Sequence, residues 1–162
     1  MFAGSVTLCL KADNLEASRN FWLAMGLDVI DEESGNRIVM QRGMLTIALM
    51  PFLDRNLLNF RGADVEAIHQ HMKARGLNVK GEPEQYTAEQ YQADADGICW
   101  STQDPDGNMI LFDTNAEETT EEYRRERLAQ ALKGFEKELM DLDASDECLN
   151  AYREHMLARF LV

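Results

Sequence analysis

Residues 103–114, QDPDGNMILFDT, decide the fold. Asp104-Pro105-Asp106-Gly107-Asn108 is a turn: Pro105 presets its own φ, Gly107 and Asn108 tolerate positive φ, and the Asp side chains accept from nearby backbone N–H groups. The apolar run Met109-Ile110-Leu111-Phe112 follows, ended by Asp113 and Thr114. Before the turn lies Ile98-Cys99-Trp100-Ser101-Thr102, also rich in β-branched and aromatic residues. The segment is predicted to be a hairpin, two adjacent strands of a larger sheet.

Working outward, Ser5–Lys11 alternates Val6, Leu8 and Leu10 with Ser5, Thr7, Cys9 and Lys11, the period of a strand with two unlike faces. A helix follows, with Asp13 or Asn14 as N-cap, a stripe of Leu15, Ser18, Phe21, Trp22 and Met25, and Gly26 at its end. Strands are predicted at 27–31, 37–41 and 44–50, with a turn at 32–36 and Pro51 closing the last. Leu57–Arg61 is a further strand, and Val65, Ile68 and Met72 mark a second helix ending at Gly76. Ala12-Asp13-Asn14-Leu15-Glu16-Ala17 matches Gly62-Ala63-Asp64-Val65-Glu66-Ala67, and Met25-Gly26-Leu27-Asp28-Val29 matches Arg75-Gly76-Leu77-Asn78-Val79, both at an offset of 50 residues. A common offset indicates a duplicated unit. Residues 80–97 read as a long loop with a short helical turn at 87–91.

After Asn115 the pattern changes. Thr119 or Thr120 before Glu121-Glu122 starts an acid-rich helix, along which Leu128, Leu132, Phe135, Leu139 and Leu142 recur at helical spacing. A break at 143–146 precedes a second helix carrying Leu149, Tyr152, Met156 and Phe160. This segment packs on its own modules or forms a dimer contact; apolar spacing alone does not choose between them.

A length of 162 residues suits one core, and 45% hydrophobic with 28% charged residues is an ordinary globular composition. No apolar run approaches the length that spans a bilayer. The opening MFAGSVTLCL has no basic segment ahead of its apolar residues, so no secretory signal is expected. Cys9, Cys99 and Cys148 form no CxxC pair, which argues for a reducing compartment, the cytoplasm, and against disulfides or a thiolate zinc site. A net charge of −13 makes nucleic acid an unsuitable partner.

The repeat, the Ala12-Asp13-Asn14-Leu15-Glu16-Ala17-Ser18 helix start with its Phe21-Trp22, and the DPDGN turn together resemble the vicinal oxygen chelate superfamily of glyoxalases, bleomycin resistance proteins and dioxygenases. The resemblance implies an α+β fold in which two βαβββ modules form a curved mixed sheet around a cavity. Residues 1–115 make the paired domain (modules 5–52 and 57–114), and 116–162 a C-terminal helical extension. In metal-dependent members, four ligands point into the cavity from the first and last strand of each module. Here those positions fall on Thr7, Leu57, Ala48 (Thr46 in a neighbouring register) and Leu111. Leu and Ala offer no lone pairs to a cation. Shifting the register brings in Cys9, Asn59 and Asp113 but no His, while His69, His71 and His155 lie on helices. No metal and no other cofactor is expected.

Strand alternation places Thr7, Cys9, Lys11, Thr46, Ala48, Met50, Leu57, Asn59, Arg61, Met109, Leu111 and Asp113 toward the cavity, as do Ser5 and Met44, with Trp100 added from the neighbouring strand. An apolar floor with polar groups near its ends suits a small molecule with one or two polar handles. The competing reading is a collapsed core in which Arg61 and Asp113 pair. The leading expectation is a metal-independent small-molecule-binding protein, a homodimer that meets neither nucleic acid nor membrane. The alternatives are a lyase-, isomerase- or dioxygenase-like enzyme of the same superfamily acting on a small oxo compound, and an interaction module working through the acidic tail. No Ser-His-Asp or Cys-His arrangement, GxGxxG or P-loop is present, and whether the chain catalyses a reaction stays open.

Overall fold

Asp104 ties the decisive turn together. Its Oδ1 accepts from the backbone N–H groups of Asp106 and Asn108 at 3.0 and 2.9 Å, and its Oδ2 accepts from Asn108 Nδ2 at 2.7 Å. Gly107 takes φ +87°, and its N–H donates to the Asp104 carbonyl at 3.0 Å. The Asn108 side chain and the backbone donors hold the Asp104 carboxyl below the usual carboxylate range. A turn built this way delivers its two flanking strands side by side.

The structure is a computed structural model that describes residues 4–43, 45–77, 79–91, 95–141 and 145–160. In chain order it contains β1 (Ser5–Lys11), α1 (Leu15–Ala24), β2 (Asp28–Glu33), β3 (Arg37–Arg42), β4 (Leu45–Met50), β5 (Leu57–Arg61), α2 (Val65–Ala74), β6 (Glu84–Tyr86), α3 (Ala88–Tyr91), β7 (Gly97–Gln103), β8 (Met109–Asn115), a single 3₁₀ turn Glu117–Thr119, α4 (Glu121–Asp141) and α5 (Asp146–Phe160). The strands form one eight-stranded mixed sheet in the order β2-β3-β4-β1-β5-β8-β7-β6. Each half is a β-α-β-β-β unit, and the order reads the same outward from the β1–β5 pair. The offset seen in the sequence persists: α1 begins at Leu15 and α2 at Val65. Ala12 N–H donates to the Met50 carbonyl at 3.0 Å and Gly62 N–H to the Asp113 carbonyl at 2.8 Å, the same bond in each module.

Several boundaries differ from the sequence expectation. β2 runs to Glu33, so only the tip of the expected 32–36 turn is a turn. The loop 80–97 contains β6, which is too short to show alternation. β8 continues through Asp113 and Thr114 to Asn115, because Asp113 finds partners described below. Asn14 rather than Asp13 caps α1, its Oδ1 accepting from Ala17 N–H at 3.0 Å. Along α1, Leu15 and Trp22 pack on the sheet, whereas Phe21 and Met25, expected on the same stripe, are exposed. Thr120 Oγ1 accepts from Tyr123 N–H at 3.2 Å at the start of α4. Met44, Asn78, Leu142 of the expected helical stripe and residues 143–144 of the expected inter-helix break lie outside the described residues, as do the side chains of Leu128, Phe135, Leu139, Met156 and Phe160. Among the described residues, no helix is long and apolar enough to cross a membrane.

Two apolar clusters hold the helices to one face of the sheet. Under α1 lie Leu27, Ile38, Met40, Ile47 and Leu49, with Leu8, Leu10 and Trp22 against them. Under α2 lie Ala63, Val65, Ile68, Trp100 and Phe112, with Phe60, Ile98 and Ile110. Trp100 therefore sits on the helix side and not on the cavity side where it was expected. The register explains this: Trp100 pairs with Phe112, so the two share a face, and their rings stack with centroids 5.2 Å apart. Its Nε1 donates to the Lys80 carbonyl at 2.8 Å. His69 meets the Trp100 ring edge-on at 4.8 Å and is fully buried, deeper than expected for a helix histidine. Neither His69 nitrogen makes a hydrogen bond among the described residues, although Nε2 lies 3.4 Å from Glu82 Oε2.

Removing the Trp100 ring leaves a large void and an unmatched Lys80 carbonyl. Trp100→Ala is expected to lower stability by about 3–5 kcal/mol in urea unfolding. His69→Phe keeps the edge-on ring and removes two unbonded polar atoms, so it is expected to leave stability unchanged or raise it by about 1 kcal/mol.

Candidate functional site

The face opposite α1 and α2 is assembled by register across four central strands. Cys9 pairs with Ala48 on β4 and with Leu57 on β5, and Leu57 pairs with Met109 on β8. One row thus reads Ala48, Cys9, Leu57, Met109. The next reads Thr7, Asn59, Leu111, since Asn59 pairs with both outer residues. A third reads Ser5, Arg61, Asp113, and Met50 pairs with Lys11 at the opposite end. Of the fifteen residues singled out in the sequence, thirteen lie on this face; Met44 lies outside the described residues, and Trp100 is the exception. Val39 beside Ala48, Ser101 beside Leu111 and Cys99 beside Asp113 belong to the same face and were not singled out. The alternation of Ile98 and Trp100 against Cys99 and Ser101 was the signal that could have found the last two.

The middle of the face is neutral. Cys9 and Ala48 are buried, and Thr7, Leu57, Asn59 and Leu111 are half-buried. Burial pushes the Cys9 thiol up to about 11, with Arg37 offsetting only part of the shift. At neutral pH this sulfur is a protonated thiol, not a nucleophile. Asn59 Oδ1 is buried and has no hydrogen-bond partner among the described residues. It is the one orphaned polar atom in these two rows.

Thr7, Leu57, Ala48 and Leu111, the positions that the resemblance assigns to metal ligands, provide one hydroxyl and three alkyl groups. They do not fit a divalent cation, whose ligands here would be imidazole, carboxylate or thiolate. Among the described residues, no group of three or more His, Cys, Asp and Glu side chains is placed to hold a metal ion. His69 faces Trp100 across the sheet from this site, and His71 and His155 are exposed.

The charged end of the face is closed on itself. Arg61 Nη1 donates to Asp113 Oδ2 at 3.0 Å, and Arg61 Nε donates to Glu118 Oε1. Tyr86 OH donates to Asp113 Oδ1 at 2.8 Å, and Tyr123 OH to Glu118 Oε1 at 3.1 Å. Glu118 Oε2 accepts from Asn115 N–H, and Asn115 Oδ1 accepts from Glu118 N–H, both at 3.0 Å. Burial opposes the Arg61 charge, but Asp113 and Glu118 outweigh it and hold the guanidinium above its ordinary value. Burial pushes the Asp113 carboxyl up, and Arg61 and Tyr86 only partly offset this. The competing sequence reading, an internal Arg61–Asp113 pair, thus holds for these two residues. Both are held in this network by each other, Glu118 and Tyr86, and do not stand as isolated handles. Lys11 lies on the exposed rim, 3.5 Å from Asp13.

A separate groove of about 590 Å³ opens beside the first turn of α2. Asp64, Glu66, Gln85, Asp96 and Thr114 are among its walls, and none of the residues singled out in the sequence lines it.

Arg61→Met is expected to destabilise the protein by about 2–4 kcal/mol in chemical unfolding, mainly by leaving the buried Glu118 carboxylate without its counter-charge. A thiol raised in the folded state keeps its proton while the unfolded chain loses it, so stability is lost as pH rises from 9 to 11. Relative to Cys9→Ala, the wild type is expected to lose about 1.4 kcal/mol per pH unit over that window. In the native protein a thiol-reactive dye should label exposed Cys148 first and leave Cys9 unmodified.

No family model matches the chain, and no curated protein matches it. Among solved structures it is similar to a glyoxalase/bleomycin resistance protein/dioxygenase superfamily member from Vibrio splendidus 12B01, with TM-score 0.51 and 16% identity over 67% of this chain and 96% of that one. It is also similar to an NAD-dependent benzaldehyde dehydrogenase from Legionella pneumophila, with TM-score 0.51 and 16% identity over 68% of this chain and 98% of that one. The matched share is about the share of the chain that the two modules make up. Paired β-α-β-β-β units, meeting through their first strands in one eight-stranded sheet, give the chain the fold of the glyoxalase/bleomycin resistance protein/dioxygenase superfamily.

Proposed function

We propose that this chain is a metal-independent small-molecule-binding protein that holds its ligand on the face opposite α1 and α2, over the rows of Thr7, Asn59, Leu111 and Ala48, Cys9, Leu57. The observation that carries this reading is the make-up of those rows. Neutral and apolar side chains stand where the superfamily resemblance places metal ligands, and a single unbonded amide oxygen, Asn59 Oδ1, stands among them. Such a surface favours a ligand with an aliphatic or aromatic body and one hydrogen-bond donor. Three cysteines, Cys9, Cys99 and Cys148, none of them in a CxxC pair, suit a reducing compartment such as the cytoplasm.

The test pairs binding with stability. A thermal-shift screen of aromatic and glycopeptide compounds is expected to find a stabilising ligand, worth about 2.7 kcal/mol at a hundred times its Kd. Asn59→Leu should then raise that Kd about ten-fold, since it removes the polar handle, while stabilising the unliganded protein by about 1 kcal/mol. Binding left intact in Asn59→Leu, or stoichiometric Zn, Mn or Fe in protein purified without chelator, would overturn the reading.

We also read the protein as a homodimer. Val6, Leu45 and Leu58 are exposed on the helix side of the adjacent strands β1, β4 and β5, between the two helix-covered clusters. A second copy is the partner we assign to this strip. Sedimentation should show a dimer for the wild type and a monomer for Val6→Lys; a wild-type monomer at micromolar concentration discards the assignment.

A further inference from the structure

The C-terminal extension reaches from one module to the other. At its start, Tyr123 OH and Arg61 both bond Glu118, and Arg61 is the last residue of β5. Farther along α4, Lys137 Nζ lies 2.8 Å from Asp28 Oδ2, and Asp28 is the first residue of β2. The strand directions put Arg61 and Asp28 at the same end of the sheet: β1 runs antiparallel to β5, β4 parallel to β1, β3 antiparallel to β4, and β2 antiparallel to β3. Both also project to the face opposite α1 and α2, since their neighbours Phe60 and Val29 pack in the helix-side clusters. The distances agree. From Tyr123 to Lys137 a helix advances about 21 Å. The four strand spacings from β5 to β2 amount to about 19 Å. So α4 crosses the strands on the side of the candidate ligand face. α5 folds back on it through Arg153, which pairs with Glu136, and Leu132 and Leu149 are buried.

These two attachments, both between described residues, are unlike. At β5, Glu118 is 3% exposed and accepts from Arg61, Tyr123 and the Asn115 backbone. At β2, the Lys137 and Asp28 side chains are 67% and 68% exposed. Exposed ion pairs are weak and salt-screened, and leaving a buried carboxylate such as Glu118 without partners is costly. Of these two attachments, the one at β2 is therefore the cheaper to open.

We propose that α4 and α5 form a strap over the ligand face, hinged at the Glu118 cluster and latched by the Lys137–Asp28 pair, whose release admits the ligand. This rests on the small-molecule reading of that face. The latch is tested in the full chain by hydrogen exchange, comparing wild type, Lys137→Glu and the charge-swapped Asp28→Lys/Lys137→Glu. Lys137→Glu should speed exchange in α4 and α5 about five-fold while β1 and β5 stay protected, and the swap should restore protection. Added salt should loosen the wild type in the same place. The association rate of the dye 8-anilinonaphthalene-1-sulfonate should rise with the opening. Unchanged exchange in Lys137→Glu, loosening spread over the whole sheet, or faster exchange with an unchanged dye association rate each overturns the proposal. Faster exchange with no dye bound by any of the three proteins supports hinge and latch and counts against the ligand reading instead, so the two fail separately.

Discussion

Everything in this molecule depends on the antiparallel pairing of β1 with β5. Each module alone would end in an unpaired first strand, an open edge with a row of unmatched N–H and C=O groups. Pairing Ser5 with Arg61, Thr7 with Asn59 and Cys9 with Leu57 removes both edges together and makes one sheet of two modules. It also fixes which side chains meet. A slip of one residue would turn Cys9 and Asn59 into the helix-side clusters and bring Leu8 and Phe60 to the other face, so register is strongly specified.

Polar groups are handled in two different ways on the face so created. Arg61, Asp113, Glu118, Tyr86 and Tyr123 form a connected network in which each charge has a partner, and it ties the C-terminal segment to the sheet. Asn59 Oδ1 has none. A buried amide oxygen without a partner weakens the fold, and a site that binds a donor is a physical reason for one to be kept. Cys9 stays protonated in its buried row, so the surface around Asn59 is chemically quiet and suited to holding a molecule.

Much of this was legible in the residues. The 50-residue offset, the DPDGN turn and the alternation of Ser5–Lys11 were enough to lay out two modules and to place thirteen of the fifteen singled-out side chains on one face. Trp100 was misplaced because a large aromatic next to a turn looks like a pocket wall, whereas its neighbours Cys99 and Ser101 mark the other face by the rule that worked for β1. β6 was missed because three residues carry no period. Glu118 gave no signal, since an acid in an acid-rich segment reads as solvated until Arg61 is found beside it.

The sequence by itself determined the repeat, the turns, the faces of the long strands and the chemical neutrality of the would-be metal positions, because these follow from local φ/ψ preferences, side-chain period and the donor atoms each residue carries. Only the tertiary structure decided that Arg61 is satisfied by Asp113 and Glu118, that Asn59 Oδ1 is left without a partner among the described residues, and that α4 spans from β5 to β2. Those are outcomes of contacts between residues some 50 to 110 positions apart. No local pattern encodes such contacts: they follow from how the sheet brings distant strands together, not from any residue's own preference.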